Sequence, residues 1–510
     1  MGLFLIIKSA MKKYILSAAV ILTAVTAHAQ KDLNTAADAV RYSTDNLTGT
    51  ARFRGMSGAF GAVGGDLSAI GVNPAGSAIF LYNTGTASLS SYNNSNDANY
   101  FGTSQKQNKS SFDLNQFGAV FVFNNGKEDA FMNKFTLGFN YENTNSFENT
   151  LNIRGVNPVN SLDKYFLRYA NGIGSEGSFD SSLMNEYYDT LPFIDQQAYL
   201  GTKANIFSPN TGSTGPDYVS NVPATGNYYQ ESYINTTGFN GKVALNFAAQ
   251  LKKRLYVGAN INVHFTDYIN NTSLYEDPNN PSSSGLQWYQ LDTERYTYGG
   301  GVSFNVGAIL KVTEAFRAGF AYESPTWLRL QDDITQSISF NNSGSVSGYR
   351  SGYTMTTDDY TIKTPSKYTG SLAYIFGKSG LISVDYAIRN YGNTRYTGDT
   401  YSAINTELAN TLDWAGELRI GGEYRIKAFS MRAGYRHQES PYKDGNTMGD
   451  LNGATAGFGF ALGNSGSRID LAYSWYQRKN NTSLFTPGLT DAARVTTTGN
   501  NVTLSYTLDL

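Results

Sequence analysis

Cysteine is absent from all 510 residues. That gap removes disulfide frameworks, thiol catalysis, Cys-based metal centres and any acylated Cys behind an export signal. Histidine is scarce as well, with His28, His264 and His437 as the whole complement. Charged residues make up 16% and nearly cancel, leaving a net charge of −2, so there is no basic field for nucleic acid and no such partner is expected. Long apolar runs are missing too: beyond the N-terminal segment none reaches the roughly 18 residues that a membrane-spanning helix needs. What the chain has instead is 37 Tyr and 52 Gly. Tyr anchors the interfacial girdles of membrane barrels, and Gly is tolerated in their strongly bent strands.

The C-terminal segment turns composition into architecture. Val502, Leu504, Tyr506, Leu508 and Leu510 alternate with Thr503, Ser505, Thr507 and Asp509, so one strand face meets an apolar phase and the other a polar one. The same alternation predicts strands near 84–92, 114–123, 134–144, 233–250, 254–270, 287–310, 314–323, 366–377, 380–391, 413–426, 429–440, 452–463, 468–479 and 501–510. These number about fourteen, and bacterial barrels need an even count. Connections alternate in length. Lys252-Lys253, Lys311 to Thr313, Gly377 to Ser379, Lys427-Ala428 and Asn464 to Ser467 are tight, whereas 145–232, 271–286, 324–365, 392–412, 441–451 and 480–500 are long. With the final strand ending in the periplasm, every tight connection falls on the periplasmic side and every long one outside, the habit of outer-membrane barrels. The expected fold is all-β: a transmembrane antiparallel barrel spanning 84–510, closed by pairing of 501–510 with both 468–479 and 84–92. The segment 145–232 carries Pro158, Pro192, Pro209, Pro216 and Pro223 and reads as a long structured extracellular loop.

The N-terminus reads as an export signal over 1–29. From Met11, a possible true start, Lys12-Lys13 precede an apolar run from Tyr14 to Thr26, and Ala27-His28-Ala29 precede Gln30. A basic start, a short apolar core and small residues two apart mark a cleaved secretory signal; a retained signal anchor is the alternative. The destination expected is the cell outer membrane of a Gram-negative bacterium, reached with the help of the barrel-assembly machinery.

Between this signal and the first strand the alternation disappears. Residues 32–46 suit a short helix. Arg54-Gly55-Met56-Ser57-Gly58-Ala59-Phe60-Gly61-Ala62-Val63-Gly64-Gly65-Asp66 follow, then Ser68-Ala69-Ile70 and Asn73-Pro74-Ala75-Gly76. Small residues at this density let backbone pack on backbone. A phosphate loop would need a preceding strand and a following Gly-Lys-Ser/Thr, and has neither. A compact plug over 30–83 inside the barrel fits better. With Ala318 to Pro325, Thr364 to Tyr368, Ser383 to Tyr386, Gly421 to Tyr424, Arg432 to Tyr435 and Asp470 to Tyr473 in order behind it, the chain resembles the outer-membrane long-chain fatty-acid transporter family, the FadL/TodX type, as a Bacteroidetes-like member. The resemblance covers roughly 50–90 and 300–510. It implies a fourteen-stranded barrel with an N-terminal hatch, passing hydrophobic molecules inward and releasing them sideways through a kinked third strand. It also implies that Asp66, Asn73, Pro74, Ala75 and Gly76 belong to a hatch element that moves when ligand binds. Gly65 stands where the family usually has a second acid, and Gly138 to Asn145 lack the Gly and apolar residues expected at a lateral opening.

Rival chemistries are weak. His264 shares the polar phase of its strand with Asn260 and Asn262, while His437 falls on the opposite phase, so a haem receptor would have one lumen His. Asp332-Asp333 and Asp358-Asp359 could meet a cation but lack an EF-hand frame. No Gly-x-Ser-x-Gly element occurs, and an enzyme is not expected. No cofactor or metal is expected either. The reading is a passive, monomeric channel in outer-membrane lipid, with a hydrophobic small molecule as ligand and an apolar pocket behind the hatch. An adhesin or surface barrel with a plugged lumen is the alternative.

Overall fold

The computed structural model describes residues 34–509, apart from 128–129, 174–176, 213–214, 284, 353, 464–465 and 485–490. The export-signal reading over 1–29 and the last residue of the alternating terminal strand lie outside the described residues.

Fourteen antiparallel strands form one closed barrel. They are β1 (Thr84–Tyr100), β2 (Thr103–Asn124), β3 (Met132–Ser146), β4 (Tyr228–Leu251), β5 (Leu255–Asp277), β6 (Leu286–Lys311) and β7 (Phe316–Glu323). The second half comprises β8 (Lys367–Ile375), β9 (Gly380–Asn390), β10 (Trp414–Ile426), β11 (Phe429–Gln438), β12 (Leu451–Ala461), β13 (Arg468–Ser483) and β14 (Ala492–Asp509). Each pairs with its neighbours in sequence, and β14 closes on β1 from Thr84↔Asp509 to Asn99↔Arg494. Alternation decides which face is which. Val502, Leu504, Tyr506 and Leu508 are exposed on the outside, whereas Thr503, Ser505 and Thr507 are buried within. Inside the closing seam, hydroxyl pairs Thr86–Thr507 (3.2 Å), Ser88–Ser505 (2.7 Å) and Ser90–Thr503 (2.7 Å) bind β1 to β14. Polar lumen residues thus find partners across strands while the outer face stays apolar for lipid.

Several strands run further than the alternation indicated. β1 and β2 extend to a two-residue turn at Phe101-Gly102, both with positive φ, so a tight connection does occur on the side away from Thr84. This corrects the expectation that tight turns fall on one side only. The added lengths, such as Asn93–Asn99 and Ser104–Ser110, stand above the apolar band, where both faces can be polar and the alternation fades. Likewise 324–365 is not an irregular loop: Trp327–Asn342 continues the wall beside β6, and Ser345–Arg350 pairs back on it.

The long insert is a folded unit. Its first strand, Asn149–Asn157, lies against β4, and two helices follow, Asp163–Ala170 and Phe193–Lys203. Phe166, Tyr169, Leu200 and Ile206 share one apolar cluster with Tyr289, Leu291, Ile334 and Ile338, which face inward from the strand tops. The insert therefore folds back over the outer mouth rather than away from it. Buried Glu276 at the top of β5 holds it down, accepting hydrogen bonds from Leu162 N (2.8 Å), Gln230 Nε2 (2.7 Å), Tyr289 Oη (2.7 Å) and Ser161 Oγ.

Candidate functional site

Residues 34–83 fill the lumen in four short helical pieces: α1 (Ala36–Ser43), α2 (Ala51–Gly55), α3 (Ala69–Val72) and a 3-10 turn over Pro74–Ile79. Local capping sets their ends. Thr35 and Asp38 form a reciprocal capping box on α1, and the Thr50 hydroxyl accepts from Phe53 N (3.1 Å) to start α2, in each case satisfying donors that a helix leaves free.

Four of the sequence-selected residues, Asn73, Pro74, Ala75 and Gly76, gather at one turn of this plug. Asn73 precedes the 3-10 turn and its Oδ1 accepts from Ala75 N (3.1 Å). Its Nδ2 donates to Gly61 O (2.8 Å) within the hatch and to Ala308 O (3.1 Å) on β6. Pro74 occupies the first turn position, where a missing N–H costs nothing, and its carbonyl accepts from Asn246 Nδ2 on β4 (3.0 Å). Ala75 is fully buried beside Ala248, Tyr256 and Ile309. The carbonyl of Gly76 accepts from Gly65 N (3.0 Å). Asp66 sits apart from that turn: its Oδ1 accepts from Thr50 Oγ1 (2.8 Å) and Ser68 N (3.0 Å), and its Oδ2 lies 3.7 Å from Arg468. Gly64 and Gly65 both have φ near +60°, a left-handed conformation that glycine adopts without strain. That conformation accounts for glycine at both positions.

Wall glycines are the part that composition misattributed. A Cβ on Gly307 would stand 2.1 Å from Asn73 Oδ1, on Gly258 2.6 Å from the Pro74 carbonyl carbon, and on Gly421 2.4 Å from Met56 O. These glycines therefore seat the hatch backbone against the barrel, which strand bending alone does not explain.

Sequence reasoning also missed a ladder of buried charges. Arg52 on α2 forks onto Glu423 (2.8 and 3.2 Å), Glu423 meets Arg432 (2.7 Å), Arg432 meets Asp470 (2.7 Å), and Asp470 meets Arg468 (2.9 Å). Asp385 Oδ2 accepts from Phe60 N and Gly61 N (2.9 Å each). The available signal was charge at inward positions of β9, β10, β11 and β13. The partner on the hatch was not readable, because it comes from hundreds of residues away.

Above the hatch the lumen is charged. A cavity of about 90 Å³ is bordered by Asp45, Glu142, Lys242, Glu323, Lys367 and Arg389. Lys367 bridges Asp45 and Glu323 (3.1 Å each), and Arg389 reaches Asp45 (3.0 Å). This overturns the expectation of a continuous apolar pocket behind the hatch. The apolar shelf is taken up by the chain itself: Ala36, Ala39 and Val40 of α1 pack on Tyr268, Leu330, Ile362 and Tyr396. Burial opposes the charge on Asp38, but Arg295 and Arg41 outweigh it and hold this carboxyl well below the usual carboxylate range.

The third strand departs from its neighbour. Pairing of β2 with β3 runs from Asn124↔Lys134 and stops at Gln116↔Glu142, and the register against β4 shifts between Asn143 and Asn145. Beyond that point a side-chain bond crosses from β3 to β2, Asn143 Nδ2 donating to Asp113, and the chain after β3 is held by β1, where Asn94 Nδ2 donates to Glu148 O (3.1 Å) and Asn96 Nδ2 to Thr150 O (2.7 Å). The hatch linker lies against this seam, with Asn46 N donating to Thr144 O (3.2 Å), Thr48 Oγ1 to Glu142 (3.1 Å) and Asn115 Nδ2 to Gly49 O (2.9 Å).

The remaining candidates separate. His264 faces the lumen and bonds Ser303 (2.8 Å), whereas His437 pairs with Asn452 (3.0 Å) on the outward phase, so the two do not converge on a haem. Asp332, expected as an exposed loop acid, is buried against Arg295 (2.7 Å) and helps pin α1; Asp359 pairs with Arg329. Among the described residues no group of three His, Asp or Glu is arranged to hold a metal.

No family model and no curated protein matches the sequence. Solved structures do match. A Pseudomonas aeruginosa FadL homologue aligns over 92% of this chain and 99% of its own, with TM-score 0.54 at 14% identity. The fold is that of the FadL-type barrel. The P. putida toluene transporter TodX aligns over 91% of this chain and 99% of its own (TM-score 0.51, 14% identity). The Ralstonia pickettii toluene transporter TbuX covers the same shares (TM-score 0.50, 17% identity). In this FadL-type barrel the hatch is seated on glycines of β5, β6 and β10, and its linker lies where the pairing of β2 with β3 ends.

Proposed function

We propose that this protein takes up hydrophobic small molecules, long-chain fatty acids or similar, across the outer membrane by passive transport through a hatch-gated lumen. The observation that carries the proposal is the hatch linker 46–49 held against the place where β3 leaves β2. A ligand that loosens the Asn73-Pro74-Ala75 turn shifts the linker, and the side-chain seam opens a lateral exit to lipid without unpairing a regular ladder. Two structural neighbours are toluene transporters, which supports the substrate class. In this reading the chain works as a monomer. It loses residues 1–29 on export, which N-terminal sequencing of the purified protein tests by a start at Gln30, and it is assembled by the barrel machinery.

A closed surface barrel or adhesin is the second reading, favoured by the charged, narrow cavity and the insert over the mouth. Uptake of radiolabelled oleate and toluene separates the two. Pro74→Ala should assemble normally yet change uptake severalfold; unchanged uptake defeats gating by this turn. Because the chain has no native thiols, Asp113→Cys with Asn143→Cys can be linked across the seam by a short bis-maleimide. Linked protein should lose uptake. Full uptake after linking rejects the lateral exit, and no uptake by the parent favours the surface-barrel reading.

A further inference from the structure

Arg54 on α2 is fully buried, yet no carboxylate pairs with it. Its Nη1 donates to Ser90 Oγ (3.0 Å), and its guanidinium lies 5.4 Å from the Tyr92 ring centroid. Nε and Nη2 have no hydrogen-bond partner. Both the bare charge and the unmade bonds oppose folding unless something compensates them. The other buried hatch arginine, Arg52, has Glu423. Arg54 instead borders a cavity of about 40 Å³ between hatch and wall. The same cavity is lined by Tyr92, Ser474 and Asn501, whose Oη, Oγ and Oδ1 are also buried without partners. Five unsatisfied polar atoms thus belong to residues lining one small space, and four of them can donate a hydrogen bond. Leu47, Leu451 and Trp475 supply apolar lining, and Ser146 places the cavity beside the end of β3.

We infer that this cavity is a carboxylate site, in which Arg54 Nε and Nη2 grip both oxygens of an acid head group and the Tyr92 and Ser474 hydroxyls donate to the same oxygens. The planar guanidinium fork matches a carboxylate in two parallel bonds. One or two waters would fit the volume and satisfy hydrogen bonds, but they would leave the charge uncompensated. The site rests on the transport reading and narrows it: among hydrophobic molecules it selects those ending in a carboxylate over neutral hydrocarbons and esters.

The test uses the full-length barrel purified in detergent, with equilibrium binding of dodecanoate and of methyl dodecanoate. The expected result is at least tenfold tighter binding of the acid, a preference lost in Arg54→Gln and only partly kept in Arg54→Lys, which keeps the charge but not the fork. Equal binding of acid and ester by the parent overturns the carboxylate site while leaving uptake of hydrophobic molecules standing. Binding of neither speaks against transport itself. The site is then judged by sodium hexanoate, which should raise the melting temperature of the parent but not of Arg54→Gln, and no rise in the parent rejects it. Should Arg54→Gln fail to assemble, the acid-to-ester ratio of the parent and Arg54→Lys decides the question.

Discussion

At the scale of single residues, the hatch is held by the absence of side chains as much as by their presence. Gly421 accepts Met56 at a distance that leaves no room for a methyl group, so Gly421→Ala must displace the hatch backbone. The expected cost is about 1–3 kcal/mol of hatch seating. The barrel should still assemble but leak small hydrophilic solutes, measurable by liposome swelling. Asn73 works in the opposite way, through a side chain that bonds its own turn, the hatch and β6. Asp38 carries a pH dependence of definite sign. Its folded pKa is depressed, so its stabilisation of α1 is fully present above the ordinary carboxylate range near ~4 and is lost as pH falls below that range. Hydrogen exchange of 36–43 should therefore stay slow from neutral pH down to about 5 and show growing loss of protection, relative to the intrinsic rate, only below about 4.

At the scale of elements, each piece outside the strands is tied by a few buried polar contacts rather than by length. The insert depends on Glu276, whose four donors come from the insert, β4 and β6. Glu276→Leu leaves those donors buried and unmet at about 1–3 kcal/mol each for the ones that cannot reach water. Limited proteolysis should then cut within 158–227 at a protease dose that spares the parent, while the barrel core stays intact. The same logic explains why the element limits read from sequence were short. Alternation of apolar and polar residues marks strand only where lipid lies on one side. Residues 93–99 and 104–110 are strand by pairing with each other, yet nothing in their composition separates them from loop.

At the scale of the whole molecule, the charge ladder joins the hatch to β10, β11 and β13. Glu423 serves Arg52, Arg425 and Arg432 together. Glu423→Ala leaves buried Arg52 without its carboxylate and Arg432 with Asp470 alone, and breaking a buried ion pair from one side costs about 3–5 kcal/mol. The heat-modifiable gel shift of the barrel should occur at a clearly lower temperature in this variant. An unchanged transition would mean that the ladder adds nothing to the closed molecule.

The sequence by itself determined the barrel, its even strand count and the sequential closure of β14 on β1. All of these follow from local rules: alternation that sorts lipid from lumen, and tight turns between strands. Asn73, Pro74 and Ala75 were legible as a turn for the same reason. The tertiary structure alone decided what the lumen is like. Whether Asp332 is a surface acid or a buried partner of Arg295, whether Gly307 bends a strand or seats Asn73, and whether Arg54 has a counter-charge depend on which strands face one another across the barrel. Those neighbours are separated by up to several hundred residues, and closure of the sheet, a property of no single segment, brings them together.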